Sequence, residues 1–247
     1  MRIEQATSQS VTELLAQVEP RVEGAQALED AAQDLVAAFQ QQFDESVVIA
    51  RAFVTVPYSS LPPKNQAFVQ NLAESAGAAA DLKPATPVLS LIGTYGQETD
   101  WRDRRKSKGH VGIPLISASF VDAIPMISRL LKELGVPMTW VDSHDSAIIA
   151  KTMDPSGGLF FVDNAAEATD HQGRKIIAAQ DFVSDYSVKS VFGAGGVYPG
   201  GQIVVIVAFC RDVFAKAAAE QFLSLNSWFR NKTGALAQST KIFADAA

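Results

Sequence analysis

The sequence has few of the residues and segments that identify several classes of protein. It has one cysteine, Cys210, which excludes an internal disulfide and a cysteine-rich zinc site. No apolar run approaches the roughly 20 residues of a membrane-spanning helix, and the amino terminus does not resemble a signal peptide. A net charge of −6 argues against nucleic-acid binding as the main role. We therefore expect a cytoplasmic protein that binds neither membrane nor nucleic acid.

Catalytic motifs are also missing from the sequence. It contains no GxxxxGK[ST], HExxH or GxSxG segment. The glycine-rich stretch GAGGVYPGG, at 193–201, is followed by a strand pattern rather than a helix pattern. Because a dinucleotide-binding loop must open a helix, this stretch predicts a hairpin connection instead. The sequence therefore identifies no catalytic residue and no cofactor.

Hydrophobic periodicity predicts a mixture of strands and helices. Apolar, β-branched segments predict a central strand over 46–56, a final hairpin from 187–192 and 202–209, and shorter strands over 88–92, 138–141 and 158–162. Amphipathic spacing predicts helices over 25–43, 63–76, 120–134, 180–186 and 213–231. Strands and helices do not alternate regularly, which favours an α+β fold with an antiparallel sheet over a parallel one.

Two blocks of the chain resemble the GAF domain family. They are ALEDAAQDLVAAFQQQFDESVVIARAFVTVP, at 27–57, and the hairpin and helix segment SVKSVFGAGGVYPGGQIVVIVAFCRDVFAKAAAEQFLSLNSWF, at 187–229. The segments between them resemble a bacterial subtype that often precedes a sensor histidine kinase. The resemblance implies a GAF-like (profilin-like) central antiparallel sheet with helices on both faces. It also implies a sensory or regulatory domain of bacterial signal transduction that binds a small molecule and relays to an output domain or partner.

The resemblance suggests a division of the chain and a mode of assembly. Residues 1–24 are expected to form an N-terminal helical extension, 25–231 the GAF-like sensor domain and 232–247 a C-terminal tail. A signal must leave the domain through its terminal helices. We therefore expect a homodimer through the helices at 10–19 and 213–231, with Trp228 at the contact. A histidine kinase or another output domain is the expected partner.

The ligand site is expected on the sheet face opposite the helices at 25–43 and 213–231, under the connections from 140 to 186. Three aromatic side chains are candidates for its apolar surface and two polar side chains for orienting the ligand: Trp140, Phe161 and Phe182 with His144 and Asp163. Arg104 and Arg105 could bind an anionic ligand from a neighbouring loop. The alternative is that the aromatic side chains fill the core and leave no cavity. The identity of the ligand is not predicted.

Two polar clusters leave alternatives open. The run from Arg102 to Lys108 has five cations within seven residues, which suits either an anion site or a solvated loop. Asp142, His144 and Asp145 could bind a metal in an enzyme, or could be a turn that caps a helix from Ser146. A third possibility is a ligand-free dimerisation or interaction module. A cavity of about 300 Å³ or more would favour the sensor over that module.

Four further residues carry weaker expectations. His110 and His171 stand alone and are interpreted as surface or hydrogen-bonded histidines. Cys210 is interpreted as a small buried residue, with redox sensing as the alternative. Arg51 interrupts the predicted central strand, and a buried guanidinium there needs a partner.

Overall fold

One antiparallel sheet organises the structure. The computed structural model describes residues 1–145, 148, 149, 152, 154, 156–239 and 241–244. The strands with described bounds are β1 (Val47–Pro57), β2 (Pro87–Gly96), β3 (Gly112–Pro114), β4 (Gly158–Val162), β5 (Ser190–Val197) and β6 (Ile203–Cys210). They are arranged in the order β3-β2-β1-β6-β5-β4, with every neighbouring pair antiparallel. The helix expected from Ser146 begins outside the described residues.

Helices cover both faces of this sheet. Those with described bounds are α1 (Ser8–Gly24), α2 (Leu28–Gln42), α3 (Pro63–Ser75), α4 (Ala118–Asp122), α5 (Pro125–Glu133), α6 (Met138–Ser143), α7 (Gln180–Asp185), α8 (Lys216–Glu220) and α9 (Leu223–Gln238). Within the described ranges, no helix has the length and apolar character needed to cross a membrane.

The chain forms two hydrophobic cores, one on each face of the sheet, because successive side chains of a strand point to opposite faces. On the first face, α1, α2 and α9 bury one apolar stripe each; examples are Leu14, Leu35 and Phe229. On the second face, α5 and α6 pack on the opposite side chains of the strands; examples are Leu131 and Trp140. The sheet and its two helical layers confirm the α+β, GAF-like fold class predicted from the sequence.

Glycines in β4 and β5 allow α5 to approach the sheet closely. A Cβ atom on Gly158 would lie 2.6 Å from the Cα of Leu134, and one on Gly195 would lie 2.5 Å from a methyl carbon of Leu134. β5 continues to Val197, through glycines that the sequence places in the hairpin connection. The turn itself is shorter and ends at Gly201, whose φ of +85° suits glycine.

Two predicted elements differ in the structure. The strand expected over 138–141 is the helix α6, because a short apolar run fits a buried helix as well as a strand. The helix expected over 213–231 consists of α8 and α9, which are separated at Gln221 and Phe222. Phe222 turns into the core there, with its ring centroid 5.3 Å from that of Phe39 and 5.2 Å from that of Phe43.

The residues on both sides of 25–231 also pack on the domain. On the amino-terminal side, α1 contacts α2 and α9 through buried side chains such as Val11 and Val18. On the carboxyl-terminal side, α9 continues to Gln238, and Ile242 and Phe243 are buried. The division of the chain at residues 24 and 231 stays a prediction.

Candidate ligand-binding site

A cavity of about 650 Å³ lies on the second face of the sheet. Five parts of the chain enclose it: β1, the end of β6, residues 97–111 between β2 and β3, the start of α5, and residues 176–186. We call residues 97–111 the cavity loop. A smaller space of about 30 Å³ lies beneath, shares Arg51, His110, Met126 and Phe209 with the cavity, and is otherwise lined by apolar side chains. The site is therefore an open chamber with an apolar inner end.

Four aromatic side chains form one side of the cavity. The Trp101 ring centroid lies 4.6 Å from that of Tyr186 and 5.7 Å from that of Phe182. Phe182 lies 5.5 Å from Phe209 of β6. All four are partly exposed rather than buried, since they line the cavity. This aromatic wall offers an apolar surface of the kind that lines small-molecule sites, with its rings tilted or edge-on to one another.

Arg51 supplies a cation at the base of the cavity. It lies in β1 opposite Val207 of β6, on the face that the cavity covers. Its Nη1 donates to the carbonyl of Gly109 at 3.1 Å, and its Nη2 donates to the Ser107 hydroxyl. Its Nε is buried and has no hydrogen-bond partner among the described residues. Burial lowers the pKa of Arg51 to about 10, so the guanidinium stays charged at neutral pH.

The cavity loop contributes further titratable groups. His110 has φ +52°, and burial together with the charge of Arg51 lowers the pKa of its imidazole. Lys106 pairs with Asp100 at 3.6 Å. Burial and the nearby Glu98 carboxylate raise the pKa of the Tyr186 hydroxyl. The polar side of the cavity thus has paired and unpaired charges beside a neutral imidazole.

The structure brings one of the seven predicted ligand residues to this cavity, namely Phe182. Trp140 is buried in the core on the same face of the sheet, and its ring centroid lies 6.2 Å from that of His144. His144 ends α6 in a left-handed conformation, and its Nε2 is 2.8 Å from the carbonyl oxygen of Leu115. Both residues hold α6 on the core and lie outside the cavity lining.

The other four predicted residues lie elsewhere. Phe161 packs with Phe214 on the first face, with 5.8 Å between ring centroids. Asp163 is exposed beyond the end of β4. Arg104 and Arg105 both contact the buried carboxylate of Glu29, at 2.7 Å and 3.1 Å. A ligand role for the predicted set as a whole stays a prediction.

The Asp142, His144 and Asp145 cluster has structural contacts in the described part of the chain. The Asp142 carboxylate accepts a hydrogen bond from the amide of Ala118 at 2.7 Å, at the first turn of α4. The amide of Asp145 donates to the Ser143 hydroxyl at 3.2 Å. No group of three or more His, Cys, Asp or Glu side chains that could hold a metal ion occurs among the residues described.

Several cavity residues were missed because the sequence pattern gives only partial signals. Arg51 interrupts an apolar strand, which marks a polar contact but does not identify it. Trp101 lies beside the basic run, and His110 follows it. The aromatic wall joins residues from the cavity loop, residues 176–186 and β6, and no local pattern predicts that association.

Comparison with known proteins adds similarities of fold. No protein-family model matches the chain, and no curated protein matches its sequence. A phycoerythrobilin-bound GAF domain from a cyanobacterial phytochrome is 10% identical, with a TM-score of 0.49 over 95% of this chain and 98% of that chain. The GAF domain of an Acinetobacter phosphoenolpyruvate-protein phosphotransferase is 13% identical, with a TM-score of 0.44 over 95% and 96%. At these values, the matches assign neither a ligand nor a partner to this chain.

Proposed function

We propose that this chain is a sensory or regulatory domain that binds a small molecule in the cavity beneath the cavity loop. The observation that carries the proposal is a chamber of about 650 Å³ with an aromatic wall and a few charged groups. Small-molecule sites typically have about 300–1,000 Å³, an apolar lining and a few oriented polar groups. This volume favours a sensor over a ligand-free interaction module.

A cluster around Glu29 gives the proposed sensor a route from the cavity loop to the end of the domain. Glu29, in the first turn of α2, accepts from Arg104 of the cavity loop at 2.7 Å. The same carboxylate accepts from the amide of Ala244 at 3.0 Å. The ring of Phe243 lies 4.9 Å from the Arg104 guanidinium. A ligand that moves the cavity loop would therefore change contacts of residues 241–244.

The proposed partner is a histidine kinase or another output domain in the cytoplasm of a bacterium, as the resemblance implies. We also propose a homodimer through the outer surfaces of α1 and α9, where Trp228 is only partly buried. Light scattering at high protein concentration tests the dimer. A mass near twice 26.4 kDa supports it, and a single species of 26.4 kDa contradicts it.

Ligand capture is the direct test of the proposed function. The purified protein is denatured, and small molecules released from it are measured by mass spectrometry. Ala178→Trp places a large side chain in the cavity lining. Ala80→Trp is the matched control, since Ala80 is exposed in the short helix between α3 and β2.

We expect a molecule bound to the original chain and to the Ala80→Trp variant, and lost from the Ala178→Trp variant. A molecule that copurifies equally with all three proteins binds elsewhere and contradicts the site. If none copurifies, a small-molecule library is screened against the three proteins by thermal shift. Absence of any hit that Ala178→Trp abolishes would then contradict the proposal.

Hydrogen exchange tests the route through Glu29. The amides of Leu28 and Glu29 donate to the carbonyls of Lys241 and Ile242 at 2.8 Å and 2.9 Å. Ligand binding should change their exchange rates, and Glu29→Gln, compared at saturating ligand, should remove that change. Unchanged exchange on binding would show that the signal does not pass through residues 241–244.

A further inference from the structure

Arg51 is a cation whose surroundings leave it without a counter-ion. Its two described acceptors are neutral, the Gly109 carbonyl and the Ser107 hydroxyl, and no carboxylate lies within ion-pair distance among the described residues. Its Nε is also buried without an acceptor. Arg51 is partly buried as a whole, and a charge that is withdrawn from water normally has a paired charge, since an uncompensated one is costly. Arg51 lines the cavity, so an anionic group in the cavity would supply that charge.

The other charges of the cavity lining are two carboxylates and two lysines. Lys106 pairs with Asp100 at 3.6 Å, and the Glu98 carboxylate lies near enough to Tyr186 to raise the pKa of its hydroxyl. Lys108 lines the cavity and has no ion-pair partner in the part of the chain that is described. Together with Arg51, three cations and two carboxylates line the cavity, an excess of one positive charge in a chain with net charge −6. Its polar side is suited to an anion, although the chain as a whole repels one.

The aromatic wall specifies the rest of the ligand. Trp101, Tyr186 and Phe182 form a contiguous apolar surface, with ring centroids 4.6 Å to 5.7 Å apart and ring planes inclined by 39° to 67°. The space beneath it is lined by Phe53, Leu89 and other apolar residues of the sheet. A fully hydrated anion would leave this apolar surface uncovered. A molecule with a ring system and one acidic group would contact both parts of the cavity.

We propose that the ligand is an amphipathic acid, an aromatic or apolar molecule whose carboxylate, sulfonate or phosphate group is bound by Arg51 and Lys108. This inference rests on the proposed function, because it takes the cavity as a small-molecule site. Arg51 forms charge-assisted hydrogen bonds to the acid at the base of the cavity. Lys108 contributes long-range attraction from the cavity loop, and the aromatic wall packs on the body of the ligand.

A pair of fluorescent probes separates the two parts of the inference. Anilinonaphthalene sulfonate has a flat aromatic body and one sulfonate. Phenylnaphthylamine has the same body and no acidic group. Both are titrated into the full chain, and binding is followed by probe fluorescence and by energy transfer from tryptophan. The variants are Arg51→Gln, Lys108→Gln and Ala178→Trp. Arg21→Gln is the matched control, since Arg21 is an exposed cation paired with Asp34 on the first face.

We expect Arg51→Gln to weaken binding of the sulfonate about tenfold or more, and to change phenylnaphthylamine affinity less than about twofold. Lys108→Gln should weaken the sulfonate about threefold, because an exposed charge contributes less. Arg21→Gln should change neither probe, and Ala178→Trp should weaken both. Near-ultraviolet circular dichroism verifies that Arg51→Gln is folded; if it is not, the selective effect of Lys108→Gln decides.

The possible failures are distinguishable. If the Arg51 and Lys108 variants affect both probes equally, the cavity binds small molecules but does not select an acid, and the inference is wrong. If Ala178→Trp changes the binding of neither probe, the probes do not occupy the cavity. The proposed function then loses its support together with the inference.

Discussion

The buried ion pair between Glu29 and Arg104 provides the sharpest test of how the cavity loop is held. The two residues are 4% and 5% exposed and are 75 positions apart in the sequence. Glu29 also accepts from the half-exposed Arg105 at 3.1 Å and from the amide of Ala244 at 3.0 Å. Glu29→Leu removes one carboxylate and thereby weakens the contacts that join three segments: α2, the cavity loop and residues 241–244.

The expected cost follows from burial. Removing one partner of a buried ion pair costs about 3–5 kcal/mol, because the other charge stays in the interior. We expect Glu29→Leu near the top of this range, since Arg104 then keeps its buried charge without that carboxylate. Arg104→Leu should be near the lower end, because Arg105 still pairs with Glu29. The double variant should lose less than the sum of the single losses, by about 2 kcal/mol.

Urea unfolding followed by circular dichroism measures these free energies of unfolding. Arg21→Gln is the control, since the exposed pair of Arg21 with Asp34 should contribute about 0–1 kcal/mol. The reasoning is refuted if Glu29→Leu costs no more than this control. It is also refuted if the losses of the two single variants simply add in the double variant.

Three further predictions concern other parts of the chain. A Cβ atom on Gly93 would lie 2.8 Å from the Ala32 carbonyl carbon, so Gly93→Ala should lower the free energy of unfolding by about 1–3 kcal/mol. A Cβ atom on Gly234, within α9, would meet no atom within 4 Å, so Gly234→Ala should raise the free energy of unfolding by about 1 kcal/mol. Equal effects of the two glycine variants in urea titrations would contradict this prediction. Because the folded-state pKa of His110 is lowered from 6.5, the unfolded chain takes up a proton below that pH before the folded chain does. The free energy of unfolding should therefore fall as the pH is lowered below 6.5, and it should fall less for His110→Gln than for the original chain. An equal fall in both proteins would exclude His110 as the cause. Burial raises the pKa of the Cys210 thiol, so iodoacetamide should modify this thiol only after the chain unfolds. Mass spectrometry detects the modification. Rapid modification of the folded chain would contradict the burial of Cys210.

The sequence alone determined the elements whose side chains repeat with a clear period. The pattern over 46–56 predicts β1, observed at Val47–Pro57, and the pattern over 202–209 predicts β6, observed at Ile203–Cys210. The helix pattern over 25–43 predicts α2, observed at Leu28–Gln42. Local periodicity predicts these elements because each strand or helix must bury one face, whichever neighbour covers it.

Short or irregular segments depended on their neighbours. The apolar run over 138–141 forms the helix α6, with Trp140 and Val141 buried against the second core. The glycines of β5 belong to a strand: a Cβ atom on Gly195 would meet Leu134 at the end of α5, and one on Gly196 would meet Arg230 of α9. So few apolar residues can be buried in a core as a strand or as a helix, so tertiary packing determines which of the two forms.

Only the tertiary structure decided where the cavity lies. The sequence predicts lining residues from the connections between 140 and 186, and of the predicted set only Phe182 reaches the cavity. The cavity loop supplies most of the charged groups, and Glu29 of α2 holds that loop through Arg104. A contact between residues 75 positions apart leaves no periodic trace in the sequence. Arg51 was visible as an interruption of an apolar strand, but its role depends on which loop folds over it.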